Sequence, residues 1–189
     1  MSVIGSNILA GASSQGGYTI EESLRFNSSQ SSYLSWTPAT AGNRKTWTWS
    51  GWIKRGELGT NESFFSTATA SDDIRFGSAD TILIYGGAGL FNLQTTAQYR
   101  DPSAWLNVVV AYDSTQVTST DRIKIYVNGE QVTSFVSSTY PSLNREVGFN
   151  NSVAHAIGRR ESSDNLYFDG YITEVNFIDG QALTPSSFG

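Results

Sequence analysis

The chain alternates between short runs with a two-residue hydrophobic period and clusters of Ser, Asn, Gly and Asp. Side chains on a strand point to opposite faces in turn, so this period predicts half-buried strands. Ser23-Leu24-Arg25-Phe26 and Tyr33-Leu34-Ser35-Trp36 flank a Ser-rich turn and read as a first strand pair. Residues 46–54 (TWTWSGWIK) place Trp47, Trp49, Gly51 and Ile53 on one face and turn Trp52 to the other. Strands are expected at 63–68, 74–77, 81–85 and 90–95. Residues 105–113 (WLNVVVAYD) are apolar on both faces, which predicts a central strand covered on both sides. Residues 122–127 alternate, with Ile123, Ile125 and Val127 inward and Arg122, Lys124 and Tyr126 outward. Asn128-Gly129 is the sequence of a two-residue type I′ turn, and 130–134 is its return strand. Residues 154–159 and 168–178 complete the set. A single helical turn is expected near Thr184-Pro185-Ser186-Ser187, with Thr184 as cap and Pro185 at the first position.

Closely spaced strands without intervening helices predict an all-β, two-sheet antiparallel jelly-roll sandwich. Its expected core is Trp47, Trp49, Ile53, Trp105, Val108, Val110, Ile123, Ile125, Ile157, Val175 and Phe177. Residues 21–189 form this domain. Residues 1–20 (MSVIGSNILAGASSQGGYTI) differ: they are small and polar, without helical periodicity or the length of a paired hairpin. They read as an N-terminal attachment arm whose Ile4, Ile8 and Leu9 would fill small pockets on a neighbour. With no Lys or Arg before the weakly apolar stretch, they do not read as a secretory signal.

Composition narrows the partners. Charged residues are only 15% of the chain, and aromatic residues are 13%. The net charge of −5 and the lack of a basic stripe argue against nucleic acid, because Glu161 follows the densest basic spot, Arg159-Arg160. No apolar run approaches the ~20 residues of a membrane-spanning helix. There is no Cys and one His, which removes disulfides and ordinary zinc sites.

Several segments, in order, resemble the laminin-G-like branch of the concanavalin A-like lectin/glucanase superfamily. They are SLRFNSSQSSYLSW, TWTWSGWIKR with Trp52, WLNVVVAYD, RIKIYVNGEQV, HAIGRR and YFDGYITEVNFIDGQALTPSSFG. The likeness spans about residues 21–189 and implies the same jelly-roll fold. The opening MSVIGSNILAGASSQGGYTIEESLRF and the closing DGYITEVNFIDGQALTPSSFG also resemble virion proteins of marine tailed bacteriophages, in which such domains occur in tail fibres and on particle surfaces. That resemblance implies a homo-oligomeric virion surface protein contacting other virion proteins; a free carbohydrate-binding lectin is the alternative.

The superfamily includes glucanases, so catalysis was tested on the residues. Retaining hydrolysis needs two carboxylates about 5 Å apart, which acids at alternating strand positions would supply. No E-x-D-x-x-E run occurs; the nearest approaches are Asp72-Asp73 and the lone Glu174 on a face with Asn176. The one His, His155 between Ala154 and Ala156, suits packing better than general-base work. The chain therefore reads as a non-enzyme with no catalytic residues and no required cofactor. Calcium is implied by many relatives, with Asp113, Asp121, Asn150, Asn151, Asp164 and Asn165 as candidate ligands. Trp36, Tyr85 and Tyr99 are the candidates for stacking on host surface glycans. Gly86-Gly87-Ala88-Gly89 lacks a Lys and a following helix, so it reads as a turn and not a phosphate loop.

Overall fold

The Trp-rich segment is the spine of one sheet in the computed structural model, which describes residues 21–69 and 72–188. The strands are β1 (Leu24–Phe26), β2 (Leu34–Trp36), β3 (Thr46–Arg55), β4 (Glu62–Thr67), β5 (Asp73–Phe76), β6 (Ile82–Gly86) and β7 (Phe91–Thr95). They continue as β8 (Leu106–Asp113), β9 (Ile123–Val127), β10 (Glu130–Gln131), β11 (Phe135–Thr139), β12 (His155–Ile157) and β13 (Gly170–Asp179). A six-stranded antiparallel sheet runs β1-β13-β3-β8-β9-β10, and a seven-stranded one runs β11-β7-β6-β5-β4-β12-β2. This is the expected jelly-roll sandwich. The chain changes sheets at both edges, from β1 to β2 on one side and from β10 to β11 on the other.

Period-two alternation sets what lies between the sheets. Trp47, Trp49 and Ile53 of β3, Val108 and Val110 of β8, and Ile123 and Ile125 of β9 are all buried there, as expected. Gly51 shares their face because a Cβ there would stand 2.9 Å from the Trp49 ring. The core is largely aromatic. Trp47 lies between Tyr112 at 5.1 Å and Phe177 at 5.6 Å, and Phe65 touches Trp49, Phe149 and Phe177 at 5.3–5.8 Å. Each such pair is worth about 0.5–1.5 kcal/mol beyond the area it buries.

β8 is central and covered on both faces, and the second cover comes from the chain's end. The Thr48 hydroxyl donates to the Gln181 carbonyl at 2.7 Å and accepts the Leu183 N–H at 2.8 Å. Phe188 then packs on Val109, Ala111 and Tyr126. Tyr126 points outward as expected but is buried by this tail. The tail's single turn, Pro185–Ser187, stands where the sequence placed it, but the Thr184 side chain does not cap it and pairs with the Ser186 hydroxyl at 2.9 Å instead.

Four expectations need correction. Trp105 is not a core residue: it precedes β8, has the opposite parity to Val108 and Val110, and is only half-buried. Ile157 and Val175 pack against the core but stay half-buried because they lie beside an open edge of the sandwich. Phe177 is likewise half-buried, although its ring stacks on Trp47. The return strand after Asn128-Gly129 is two residues long, because the chain then crosses to the other sheet and forms β11, a strand not anticipated. Residues 1–20, including Ile4, Ile8 and Leu9, lie outside the described residues.

Candidate functional site

A shallow, open groove lies at the edge where β10 leads into β11. It has a volume of about 410 Å³. Tyr99 of the β7–β8 link lines it together with Val127, Asn128, Glu130, Gln131, Val132 and Thr133 of the β9–β11 stretch. The hairpin is the expected turn: φ is +50° at Asn128 and +84° at Gly129. Asn128 is tied to β8, donating its N–H to Asn107 O at 2.8 Å and accepting the Asn107 N–H on Oδ1 at 2.9 Å.

Tyr99 is held by a buried ion network that the sequence did not disclose. Its N–H donates to Asp80 O at 2.8 Å, and its carbonyl accepts Arg55 Nη1 at 3.0 Å. The Arg55 and Glu62 side chains are each 1% exposed, and Arg55 reaches Glu62 at 3.4 Å and Asp80 at 3.0 Å. Arg100 closes the group on Asp80 at 3.0 Å, and the Arg55 guanidinium lies 4.3 Å from the Phe76 ring centre. Two cations thus face two anions, which is how buried charge is tolerated. The Gly59 N–H at 2.7 Å and the two guanidiniums hold the Asp80 carboxyl below its ordinary range. Burial pushes Glu62 up to about 7, against the opposing Asp169 N–H and Arg55. Asp80 takes φ +62°, a conformation Asp tolerates better than most residues.

The three aromatic candidates occupy separate surfaces. Tyr85 lies on the outward face of the seven-stranded sheet, opposite Asp73, with the Arg75 guanidinium 5.7 Å from its ring centre. Asp73 beneath it accepts from Ser63, from Arg75 at 2.8 Å and from Arg160 at 3.0 Å; burial pushes it up to about 6. Trp36 lies on edge strand β2, half-exposed, stacked on His155 at 5.3 Å. Of the three, Tyr99 lines a groove that Asn128, Glu130, Gln131 and Thr133 also line.

The remaining chemistry resolves into structural roles. His155 is buried. Its Nε2 accepts the Asn150 N–H at 3.1 Å, so Nδ1 carries the proton towards Val153 O at 2.8 Å, and burial lowers its pKa. Asp72 and Asp73 do not form a catalytic pair. Asp72 accepts the backbone N–H groups of Gly87 and Gly148, while Asp73 serves Ser63 and two arginines. Glu174 lies at a β-bulge with φ +50°.

The calcium candidates do not converge. Among the described residues no group of three His, Cys, Asp or Glu side chains is arranged to hold a metal. Asp113 and Asp121 flank one pocket, but Asp113 already accepts from Thr46, Thr115 and Gln116, and Asp121 pairs with Lys124 at 3.2 Å. Asn150 is bound to Asn43 and Asp179, Asn151 to Ser152, Asp164 to Arg159, and Asn165 to Ser163. These residues do not fit a calcium site as they stand. Among the described residues no helix is long and apolar enough to cross a membrane.

Two antiparallel sheets with a groove at their edge define a lectin-like jelly roll. A family profile described as the concanavalin A-like lectin/glucanases superfamily matches residues 27–187, and the chain belongs to that family. Solved structures agree on the fold. A Bacteroides ovatus protein described as carbohydrate binding matches with a TM-score of 0.62 at 19% identity, over 87% of this chain and 44% of its own. A heptameric SAP-like pentraxin from Limulus polyphemus matches at 0.58 and 14% identity, over 82% and 72%. A CBM40 of a Ruminococcus gnavus IT-sialidase, solved bound to alpha2,3 sialyllactose, matches at 0.55 and 14% identity, over 83% and 96%. No curated protein matches the sequence.

Proposed function

We propose that this chain is a non-enzymatic, surface-exposed glycan-contacting domain of a bacteriophage particle, in a tail fibre or on the head. The observation that carries the glycan reading is the groove that Tyr99, clamped through both backbone groups by Asp80 and Arg55, lines together with Gln131, Thr133 and Glu130. A sugar ring offers a C–H face to an aromatic side chain and hydroxyls to such polar groups. The groove's volume falls in the range of ordinary small-ligand sites. Carbohydrate-binding relatives of the same fold support this reading. The acids argue for a non-catalytic role, because Asp72, Asp73 and Glu62 are committed to internal partners. The particle reading rests on the likeness of the N-terminal and C-terminal segments to phage virion proteins. Residues 1–20 then act as the attachment arm, and Ile4, Ile8 and Leu9 contact a neighbouring virion protein.

Titration calorimetry with glycans first ranked on an array tests the binding role. Tyr99→Ala should weaken binding at least about tenfold, or 1.4 kcal/mol, while thermal unfolding changes little. Undiminished binding by Tyr99→Ala would remove the groove from the function. Detection of the chain in purified particles tests the virion role separately.

A further inference from the structure

One arginine differs from the others. Arg25, Arg44, Arg55, Arg75, Arg100, Arg159 and Arg160 each reach a carboxylate within ion-pair distance. Arg122 donates to the carbonyls of Gln116, Val117 and Pro141. Among the described residues Arg145 alone of the arginines has no side-chain hydrogen bond or ion pair, and its Nε is buried without a partner. A cation withdrawn from water is costly unless an anion and hydrogen-bond acceptors meet it. The backbone that carries Arg145 is fixed. Its carbonyl accepts the Tyr112 and Ser114 hydroxyls, each at 2.9 Å, and its N–H donates to Ser142 O at 3.2 Å.

Arg145 lines a pocket of about 190 Å³ at the end of the sandwich where the chain enters β3, β5 and β7. Arg44, Asp72, Leu90, Phe91 and Val147 line it too. Arg44 brings a second guanidinium, tied to Val147 O at 2.7 Å and to Glu146 at 3.0 Å. Asp72 does not bond to Arg145, because its two oxygens accept the N–H groups of Gly87 and Gly148. Burial pushes the Asp72 carboxyl above its usual range, which lessens the negative charge an incoming anion meets. The pocket is smaller than sites that enclose a whole small ligand, so it fits a charged group and not a sugar ring. A carboxylate matches the paired N–H donors of a guanidinium. We propose that this pocket takes the carboxylate group of an acidic ligand, with Arg145 as the residue that pairs with it. The pocket shares no lining residue with the Tyr99 groove, and the proposal does not rest on the glycan reading.

A free aliphatic acid and a sugar acid present the same group, so the test uses both. NMR titration of the full-length protein near neutral pH, in carboxylate-free buffer, compares acetate, glucuronic acid and neutral glucose. At least one of the two acids should move the amide signals of residues 145–148 to saturation, and glucose should not. Tighter binding of acetate marks a free small acid as the ligand, and tighter binding of glucuronic acid marks a sugar acid. Arg145→Gln should weaken the binding at least about tenfold, whereas Tyr99→Ala should leave it unchanged. In a second measurement, without any carboxylate present, Arg145→Gln should melt no lower than the parent, because it removes an unpaired charge. No saturable shift with either acid, equal shifts with glucose, or undiminished affinity in Arg145→Gln would overturn the site. So would a melting temperature several degrees below the parent's, which would make Arg145 the structural counter-ion of Asp72.

Discussion

The two edges of this sandwich are built from the same material, short strands that cross between sheets, yet different groups stand behind them. At the β10–β11 edge Asn128, Glu130, Gln131 and Thr133 stand among Tyr99, Val127 and Val132, and behind them Arg55, Glu62, Asp80 and Arg100 form a closed ion network. At the β1–β2 edge Leu24, Leu34, Ile157, Ile172 and Val175 line the gap with Glu22, Ser23 and Thr173. A polar gap can stay hydrated at no cost and still present a shaped surface. An apolar gap in water is unfavourable by roughly 25 cal/mol for each Å² left exposed.

If that contrast is right, the polar edge depends on its buried charges. Arg55→Met should be the most damaging change, costing about 3–5 kcal/mol, because it leaves Glu62 and Asp80 without their buried partner. Urea unfolding with an unchanged m-value checks this. A loss below about 1 kcal/mol would mean that the network does not organise this edge.

Gly129→Val should cost less, about 1–3 kcal/mol. A β-branched residue resists φ +84°, and the hairpin wall would shift. Glycan affinity should fall with it, while hydrogen exchange at β1 stays unchanged. Coupled loss at both edges would break the view that they are independent.

The smallest effect expected is on pH dependence, where the raised carboxyls of Glu62 and Asp73 partly oppose His155. Glu62 is raised to about 7 from 4.5, so its folded state favours the proton. That stabilisation is complete below about pH 4.5 and is lost as pH rises through 7. His155 is lowered below 6.5 by burial, so its contribution is complete above 6.5 and is lost as pH falls. Glu62→Gln keeps an acceptor for the Asp169 N–H and should flatten the decline in melting temperature between pH 4.5 and 7. A slope identical to the parent's would show that Glu62 does not titrate in this range.

The sequence by itself determined the strands, their alternation, the Asn128-Gly129 turn and the two-sheet class, because period two and turn chemistry act over neighbouring residues. It named Trp36, Tyr85 and Tyr99 as equal candidates by residue type. Tertiary structure gave each a different setting. It packed Trp36 on His155, set Tyr85 over a buried carboxylate, and gave Tyr99 a groove. It also brought Arg55, Glu62, Asp80 and Arg100 into one cluster, and laid the 181–188 tail over Tyr126. Trp105 failed as a core residue for the same reason. Residue type and local apolarity favour burial, but strand parity and the reach of the covering tail decide it. Local pattern fixes which way a side chain points. What it meets there depends on segments far away in the chain, and only the folded sandwich brings them together.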